Sequence, residues 1–171
     1  MTRLYLVRHG RASAGWDTDP DPGLDEIGVR QAKQVAARLS AHGPLPIITS
    51  PLLRCRQTAA ELAQLWRVEP RVEPAVGEIP SPEGVAMSHR IDWLRAAMRG
   101  SWTDLGSTYV DYKNRVVSTL VAVGDDSVVF SHFVAINVAI GAAIADDRLV
   151  VRSLDNCSVT IVDVVDGGLQ L

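Results

Sequence analysis

The stretch of residues 2–10 reads TRLYLVRHG, and it is the part of the sequence that decides the fold. It first alternates and then runs apolar, which is the pattern of a strand buried in a sheet, so we predict a strand over residues 2–7. The run stops at Arg8-His9-Gly10, and a guanidinium, an imidazole and a glycine therefore follow the first core element. In a wound α/β sheet the ligand crevice lies beyond the carboxyl ends of the strands, where these three residues would stand.

The composition is that of an ordinary globular protein. The chain has 171 residues, of which 47% are hydrophobic and 22% are charged, and its formal net charge is −3. This apolar content excludes a disordered chain, and the length predicts one domain over residues 1–171. The mild acidic balance indicates neither a nucleic-acid nor a membrane partner, so an anionic ligand must be attracted locally. Composition leaves the oligomeric state undetermined.

The cysteines and the N-terminal segment favour a cytoplasmic protein. Cys55 and Cys157 are too few for a disulfide framework and lack the spacing of a zinc site. Arg8 interrupts the N-terminal segment before the apolar core of a signal peptide could form, which argues against secretion. Residues 128–145 are apolar enough to raise the question of a membrane span, but their pattern divides into a strand and a helix.

Strand and helix patterns alternate along the rest of the chain. Helices are predicted from an N-cap at Asp25 to Leu39, and from a Ser50-Pro51 start to about Trp66. The other predicted elements are helices over 89–99, 109–123 and 133–145, strands over 46–49, 127–131, 149–152 and 157–165, and a proline-rich irregular crossing over 69–84. Such alternation predicts a three-layer α/β/α sandwich with a mostly parallel central sheet.

Two arginines and two histidines follow three separate predicted strands. Arg8 and His9 follow the first strand, Arg54 comes within one turn after the second, and His132 follows the strand over 127–131. Any one of them alone is more often a surface arginine or a packed histidine, but together they indicate one site. Histidine can attack phosphorus, and guanidinium groups bind phosphate oxygens in pairs and neutralise developing charge. The set therefore predicts phosphoryl-transfer chemistry.

A leaving alkoxide also needs a proton, from an acid that desolvation or neighbouring negative charge keeps protonated. The irregular crossing offers Glu78 and Glu83 for this role. Gly10 is expected to let the backbone approach a bound ligand closely.

Three motifs then suggest a family. They are LVRHG at 6–10, DPGLDEIGVRQA at 21–32 and SPLLRCRQTA at 50–59, and an apolar strand ending in Ser131-His132 follows them. In order, spacing and surroundings, over essentially the whole chain, they resemble the histidine phosphatase superfamily, also called the phosphoglycerate mutase-like superfamily. The resemblance implies a phosphoglycerate mutase-like fold.

The resemblance also implies roles for individual residues. His9 would be the residue that is transiently phosphorylated, Arg8 and Arg54 would bind the phosphoryl group, and His132 would complete the pocket. Arg56 lies two residues beyond Arg54 on the helix and is expected to point elsewhere.

The sequence departs from the family pattern at three places. Phe133 stands where members usually carry glycine, which predicts a narrower pocket or a re-aimed helix. Gly15 stands where many members carry asparagine, so that a phosphate contact is either missing or supplied by Ser13. The family acid lies in a Leu-x-Glu segment, which Glu78 fits loosely; we prefer it to Glu83, and the possibility that neither is the acid stays open.

The predicted function is hydrolysis of phosphate esters by a metal-independent cytoplasmic phosphatase through a phosphohistidine on His9, without a cofactor. Its substrate would be a small phosphorylated molecule or a phosphoprotein. Alternatives are a phosphohistidine phosphatase, favoured if no acid operates, a phosphoglycerate mutase-type phosphotransferase, and a non-enzymatic module that binds a phosphorylated ligand. The chain is too short for a spare lid, which ranks the mutase lower. Trp16, in a predicted loop over 16–23, would line the substrate rim.

Overall fold

The computed structural model describes residues 1–15 and 17–171, and Trp16 with its predicted rim role lies outside the described residues. Within them the strands are β1 (Thr2–Arg8), β2 (Ile47–Thr49), β3 (Arg71–Val72), β4 (Ser127–Ser131), β5 (Val159–Val165) and β6 (Gly168–Gln170). They form one sheet in the order β3-β2-β4-β1-β5-β6. The first four strands run parallel, and β5 and β6 are added antiparallel. The mostly parallel sheet is therefore confirmed.

Helices alternate with these strands. They are α1 (Glu26–Leu39), α2 (Leu53–Trp66), α3 (Arg90–Ala97), α4 (Trp102–Leu105), α5 (Ser107–Val121) and α6 (Phe133–Ile144). The predicted cap of α1 is present, since the Asp25 side chain accepts a 2.7 Å hydrogen bond from the Gly28 N–H. Short 3₁₀ turns occupy Ser40–His42, Pro74–Val76 and Met87–His89.

Two apolar layers cover the sheet, one on each face. On one face Val7 and Phe130 pack with the buried sides of α1 and α2. On the other face Leu6 and Val129 pack with α5 and α6. Because successive side chains of a strand point to opposite faces, the Leu6-Val7 pair of β1 contributes to both layers. The three-layer α/β/α sandwich follows from this alternation.

The register of the parallel strands brings the predicted site together. Arg8 at the end of β1 is paired with Ser131 at the end of β4, so His9 and His132 are the next residues along two adjacent strands. Ser50 follows β2, whose last residue pairs one position earlier on β4. The residues that follow these parallel strands therefore meet at the carboxyl end of the sheet. This is where the sequence analysis predicted the site.

Two element predictions are wrong in detail, and the last strand was not predicted. Helix α2 begins at Leu53, not at Ser50. The side chain of its N-cap residue, Leu52, makes no capping hydrogen bond. Residues 149–152 do not form a strand, because the N–H groups of Val151 and Arg152 bond to the Asn137 side chain instead of a neighbouring strand. The turn after β5 is a tight one at Asp166 and Gly167, both with positive φ, and it leads into β6, which the sequence analysis missed.

The apolar stretch over residues 128–145 divides into β4 and α6, as predicted. In the described part of the chain, the structure contains no helix with the length and apolar character needed to cross a membrane.

Candidate active site

The imidazole of His9 is held in one tautomer. His9 follows β1 and is only 7% exposed. Its Nδ1 lies 2.7 Å from the carbonyl oxygen of Gly10, which can only accept, so Nδ1 carries the hydrogen. Nε2 therefore keeps its lone pair. The backbone at His9 is fixed on both sides, because its N–H donates to Ser131 and its carbonyl accepts from Asn156 Nδ2.

Arg54 lies at the centre of the site, in the first turn of α2. Its side chain is buried, and Nε donates to His9 Nε2 at 3.2 Å. Its Nη2 lies 3.2 Å from His132 Nδ1 and 3.4 Å from Glu78 Oε2. One guanidinium group thus connects the two histidines and the candidate acid. The strand ends predicted the convergence of Arg54 with the two histidines, whereas Glu78 was one of two acids that the irregular crossing offered.

Arg8 approaches the site from the opposite side to α2. Its Nη1 donates to the carbonyl oxygen of Leu154 at 2.5 Å, and the ring of Phe133 lies with its centroid 5.2 Å from the guanidinium carbon. The aromatic ring at the position of the family glycine therefore contacts a phosphate-binding candidate directly.

Each arginine keeps a buried donor that is unpaired among the described residues, namely Arg8 Nε and Arg54 Nη1. A buried polar group left unpaired costs about 1–3 kcal/mol, and more when charged. An anion that accepted hydrogen bonds from both groups would remove this cost. The pair of guanidinium groups therefore fits a phosphoryl group better than a neutral ligand.

His132 is fully buried and is oriented by Ser50. Because Arg54 Nη2 donates to Nδ1, the ring carries its hydrogen on Nε2, which lies 2.8 Å from Ser50 Oγ. Cys55 Sγ lies 3.4 Å from the same nitrogen. The predicted use of Ser50 as an N-cap of α2 is therefore wrong, because its hydroxyl is directed at the histidine. The Leu53 N–H at the start of α2 instead donates to the carboxylate of Asp21, which is distant in sequence.

Glu78 enters the site from the crossing between β3 and α3. Its Oε2 lies 3.4 Å from both Arg54 Nη2 and His132 Nδ1. The backbone that carries it is held by Ser131 Oγ, which donates to Val76, and by Tyr112, whose hydroxyl donates to Gly77. The alternative acid, Glu83, is exposed.

Burial keeps both histidines neutral. It lowers the pKa of His9 to about 3, and the charges of Arg54 and Arg8 act in the same direction, whereas the hydrogen bond to Gly10 opposes them. Burial also lowers the pKa of His132 well below its usual value. The Nε2 lone pair of His9 is therefore available over the whole neutral range.

Burial has the opposite effect on Glu78, because the charged form of a carboxyl is the anion. It raises the pKa of Glu78, although Arg54, the Ile79 N–H and Arg8 favour the anion. The acid form needed for protonation of a leaving group is therefore favoured by the site itself.

The structure does not bring every predicted residue to the site. Ser13 is exposed in a loop, where its N–H bonds to Gly23, and no side-chain contact within the described chain links it to the arginines. Gly10 is buried and packs against a helix, and its close approach to a bound ligand stays a prediction. A Cβ at Gly10 would lie 2.6 Å from the carbonyl oxygen of Gly28 in α1, so packing against that helix requires the glycine. Arg56 is exposed, as predicted.

Several supporting residues were missed by the sequence analysis. Their common feature is a hydrogen bond that joins a side chain to a backbone group of a residue distant in sequence, which leaves no local pattern. They are Thr58, which accepts from the Gly10 N–H, Tyr112, Asn137, Leu154 and Asn156. Only Ser50 carried a usable signal, because it directly follows a strand.

The neutral histidines predict a dependence of stability on pH. The pKa of His9 is about 3 in the folded protein, against 6.5 for the ordinary side chain, so below pH 6.5 the unfolded chain binds a proton that the folded chain does not. The free energy of unfolding should fall as pH decreases from 6.5, by roughly 2–3 kcal/mol at pH 4 from His9. Urea unfolding at pH 4 to 7.5 measures this.

Comparison with His9→Asn isolates the contribution of this ring, since other titrating groups are common to both proteins. The variant should lose stability less steeply on acidification than the wild type, and parallel curves would contradict the prediction. The same substitution at the exposed His89 is the matched control.

A histidine with a fixed tautomer, one buried and one partly buried guanidinium group, and a carboxyl from the crossing beside the strand ends define a phosphoryl-transfer class of site on an α/β fold. Comparison with known families names the class. The model of the histidine phosphatase superfamily (branch 1) matches residues 4–171, and the chain belongs to this superfamily. The family predicted from the motifs is confirmed.

Individual relatives carry related descriptions. A probable phosphoglycerate mutase GpmB from Proteus mirabilis is 32% identical over 190 residues, covering 95% of this chain and 85% of the relative. Among solved structures, a mycobacterial glucosyl-3-phosphoglycerate phosphatase with inorganic phosphate has a TM-score of 0.73 at 25% identity, covering 95% and 90% of the two chains. Bacillus stearothermophilus YhfR reaches a TM-score of 0.79 at 23% identity, covering 100% and 95%, which shows the shared fold. The predicted fold class is confirmed, and the predicted phosphatase activity agrees with the family.

Proposed function

We propose that the chain is a single-domain cytoplasmic phosphatase that hydrolyses small phosphate monoesters through a phosphohistidine at Nε2 of His9. One observation carries the proposal. The hydrogen bond from Nδ1 to Gly10 leaves the Nε2 lone pair facing Arg54, whose Nη1 is a buried donor without a partner among the described residues. A neutral nucleophile and cationic donors converge on one point, as attack on a phosphoryl group requires.

The first half-reaction transfers the phosphoryl group to the enzyme. His9 Nε2 forms a bond to phosphorus as the bond between phosphorus and the ester oxygen breaks. Glu78 donates its proton to the departing oxygen and becomes a carboxylate. Arg8 and Arg54 bind the remaining phosphoryl oxygens and stabilise their charge, and His132 completes the pocket beside Arg54.

The second half-reaction returns the enzyme to its starting state. The Glu78 carboxylate takes a proton from water while the water oxygen attacks phosphorus. The bond between Nε2 and phosphorus then breaks, and inorganic phosphate leaves with His9 neutral and Glu78 protonated. The same carboxyl serves as acid and then as base, which its raised pKa favours.

Phosphatase activity is tested with p-nitrophenyl phosphate in the presence of EDTA between about pH 5 and 8. We expect metal-independent release of p-nitrophenolate. No hydrolysis by a folded wild-type protein would contradict the proposal and favour a module that binds a phosphorylated ligand without turnover. A screen of phosphorylated metabolites and phosphopeptides would then identify the substrate class.

A mutase is the second candidate, because relatives such as the Proteus mirabilis protein are described as probable phosphoglycerate mutases. The two activities differ in where the phosphoryl group goes. Incubation with 3-phosphoglycerate, followed by phosphorus NMR, separates inorganic phosphate from 2-phosphoglycerate. We expect inorganic phosphate, and formation of 2-phosphoglycerate alone would favour the mutase.

A further inference from the structure

Asn137 is a buried polar side chain in the second turn of α6. It is fully buried. Its Oδ1 accepts 2.8 Å hydrogen bonds from the backbone N–H groups of both Val151 and Arg152. Its Nδ2 donates to the Phe133 carbonyl oxygen at 3.0 Å. An amide in an apolar helix is costly unless it is paired in this way, so Asn137 ties the segment after α6 to the beginning of that helix.

The segment held by Asn137 carries the carbonyl that orients Arg8. Leu154 lies on this segment and is itself buried, and its carbonyl oxygen accepts from Arg8 Nη1 at 2.5 Å. The segment continues to Asn156, whose Nδ2 donates to the His9 carbonyl oxygen at 3.0 Å. The Arg8 side chain and the His9 backbone, at the end of β1 and directly after it, are thus both held by one loop.

The other hydrogen bond of Asn137 leads to the second neighbour of Arg8. The Phe133 ring centroid lies 5.2 Å from the Arg8 guanidinium carbon, in the range of a cation–π contact. The Phe133 carbonyl is the acceptor for Asn137 Nδ2. The two groups that contact the guanidinium, a carbonyl and an aromatic ring, are therefore connected through a single buried amide.

We propose that Asn137 is a positioning residue for Arg8, holding the Leu154 carbonyl and the Phe133 ring where together they aim the guanidinium at the phosphoryl group. The inference rests on the proposed function of Arg8 as a phosphate ligand. A guanidinium group that is already fixed before the ligand arrives loses little conformational entropy on binding. This preorganisation favours binding. Loss of Asn137 should therefore weaken binding of a phosphate-like anion more than it slows the later steps.

The test is a double-substitution cycle on the binding of orthovanadate, measured by calorimetry and not by turnover. We expect Asn137→Ala to raise the Kd of orthovanadate about tenfold when Arg8 is present, and less than about twofold in the Arg8→Ala protein. The KM for p-nitrophenyl phosphate should rise by a similar factor, with kcat changed less than about threefold.

The matched control is Val138→Ala, the next residue of α6, which is buried in the apolar core. It should leave the vanadate affinity within about twofold of the wild type, since it removes packing but none of the side-chain hydrogen bonds that hold the loop. Asn137→Ser, which changes the volume less, serves as a second variant with the same expected weakening should Asn137→Ala fail to fold.

Wild-type affinity in both Asn137 variants would overturn the proposal, as would a loss that persists in full in the Arg8→Ala protein. A wild-type protein that does not bind orthovanadate would overturn it too. Because binding is measured without turnover, a protein that binds vanadate but hydrolyses no phosphate ester would contradict only the proposed function.

Discussion

Replacement of His9 by alanine is expected to abolish turnover, lowering kcat for p-nitrophenyl phosphate on the order of 10⁴-fold. The reason is that Nε2 of this ring is the only nitrogen in the proposed mechanism that forms a bond to phosphorus. Arg54 lies 3.2 Å from it and would still bind the substrate, so KM should change far less than kcat. Steady-state kinetics of the purified variant, with circular dichroism to establish its fold, measure both.

Chemical trapping distinguishes loss of the nucleophile from loss of structure. Wild-type protein quenched during turnover should carry a phosphoryl group that is labile in acid and stable in alkali, as expected of a phosphorus–nitrogen bond, and His9→Ala should carry none. The same replacement at the exposed His89 should keep both the label and the rate. Survival of more than about one per cent of wild-type kcat in His9→Ala would rule out covalent catalysis by this ring.

Much of the sheet could be predicted because its strands are long enough to show a pattern. In β1, the alternation of buried side chains between the two faces is visible in the sequence, and Arg8-His9 marks its end. The strand β3 has two exposed residues, Arg71 and Val72, which is too short for any periodicity. Helix α4 has only four residues and lies between Gly100 and Gly106, so it is also too short for a helical pattern to show in the sequence.

The start of α2 shows how a local rule can be overridden. Ser50-Pro51 has the form of a helix start, yet Ser50 directs its hydroxyl to His132, which lies 82 positions away. The N–H of Leu53 is capped by Asp21 across the chain instead. A contact between distant residues thus replaced the local cap, and single-sequence reasoning had no means of weighing the two.

The candidate site also contains residues that could be predicted from the sequence and contacts that could not. Arg8, His9, Arg54 and His132 could be predicted as neighbours because parallel strands end at one edge of a sheet, whatever their side chains do. The supporting contacts could not. Asn137 acts through backbone N–H groups, which every residue possesses, and so nothing in the sequence marks its partners.

Glu78→Gln is expected to produce the second large effect, and it should depend on the leaving group. For an alkyl phosphate such as glycerol 3-phosphate, kcat/KM should fall about 10²–10³-fold, because the alkoxide cannot leave without the proton of Glu78. For p-nitrophenyl phosphate the fall should be about tenfold or less, since p-nitrophenolate departs without protonation. The ratio kcat/KM reports steps up to the first irreversible one, so it isolates the transfer to His9 from the later attack of water.

The pH dependence of kcat/KM also tests Glu78 as the acid, and the direction of the change can be predicted. Burial raises the pKa of Glu78, so its acid form persists above the usual range and is lost as pH rises through the raised pKa. With glycerol 3-phosphate, the decline of kcat/KM on that side should be present in the wild type and absent in Glu78→Gln. Glu83→Gln, an exposed carboxyl of the same crossing, is the matched control and should behave as the wild type. Equal and small losses of kcat/KM for both substrates in Glu78→Gln would contradict the assignment of this residue as the acid. They would favour substrates whose leaving group departs without protonation, such as phosphohistidine.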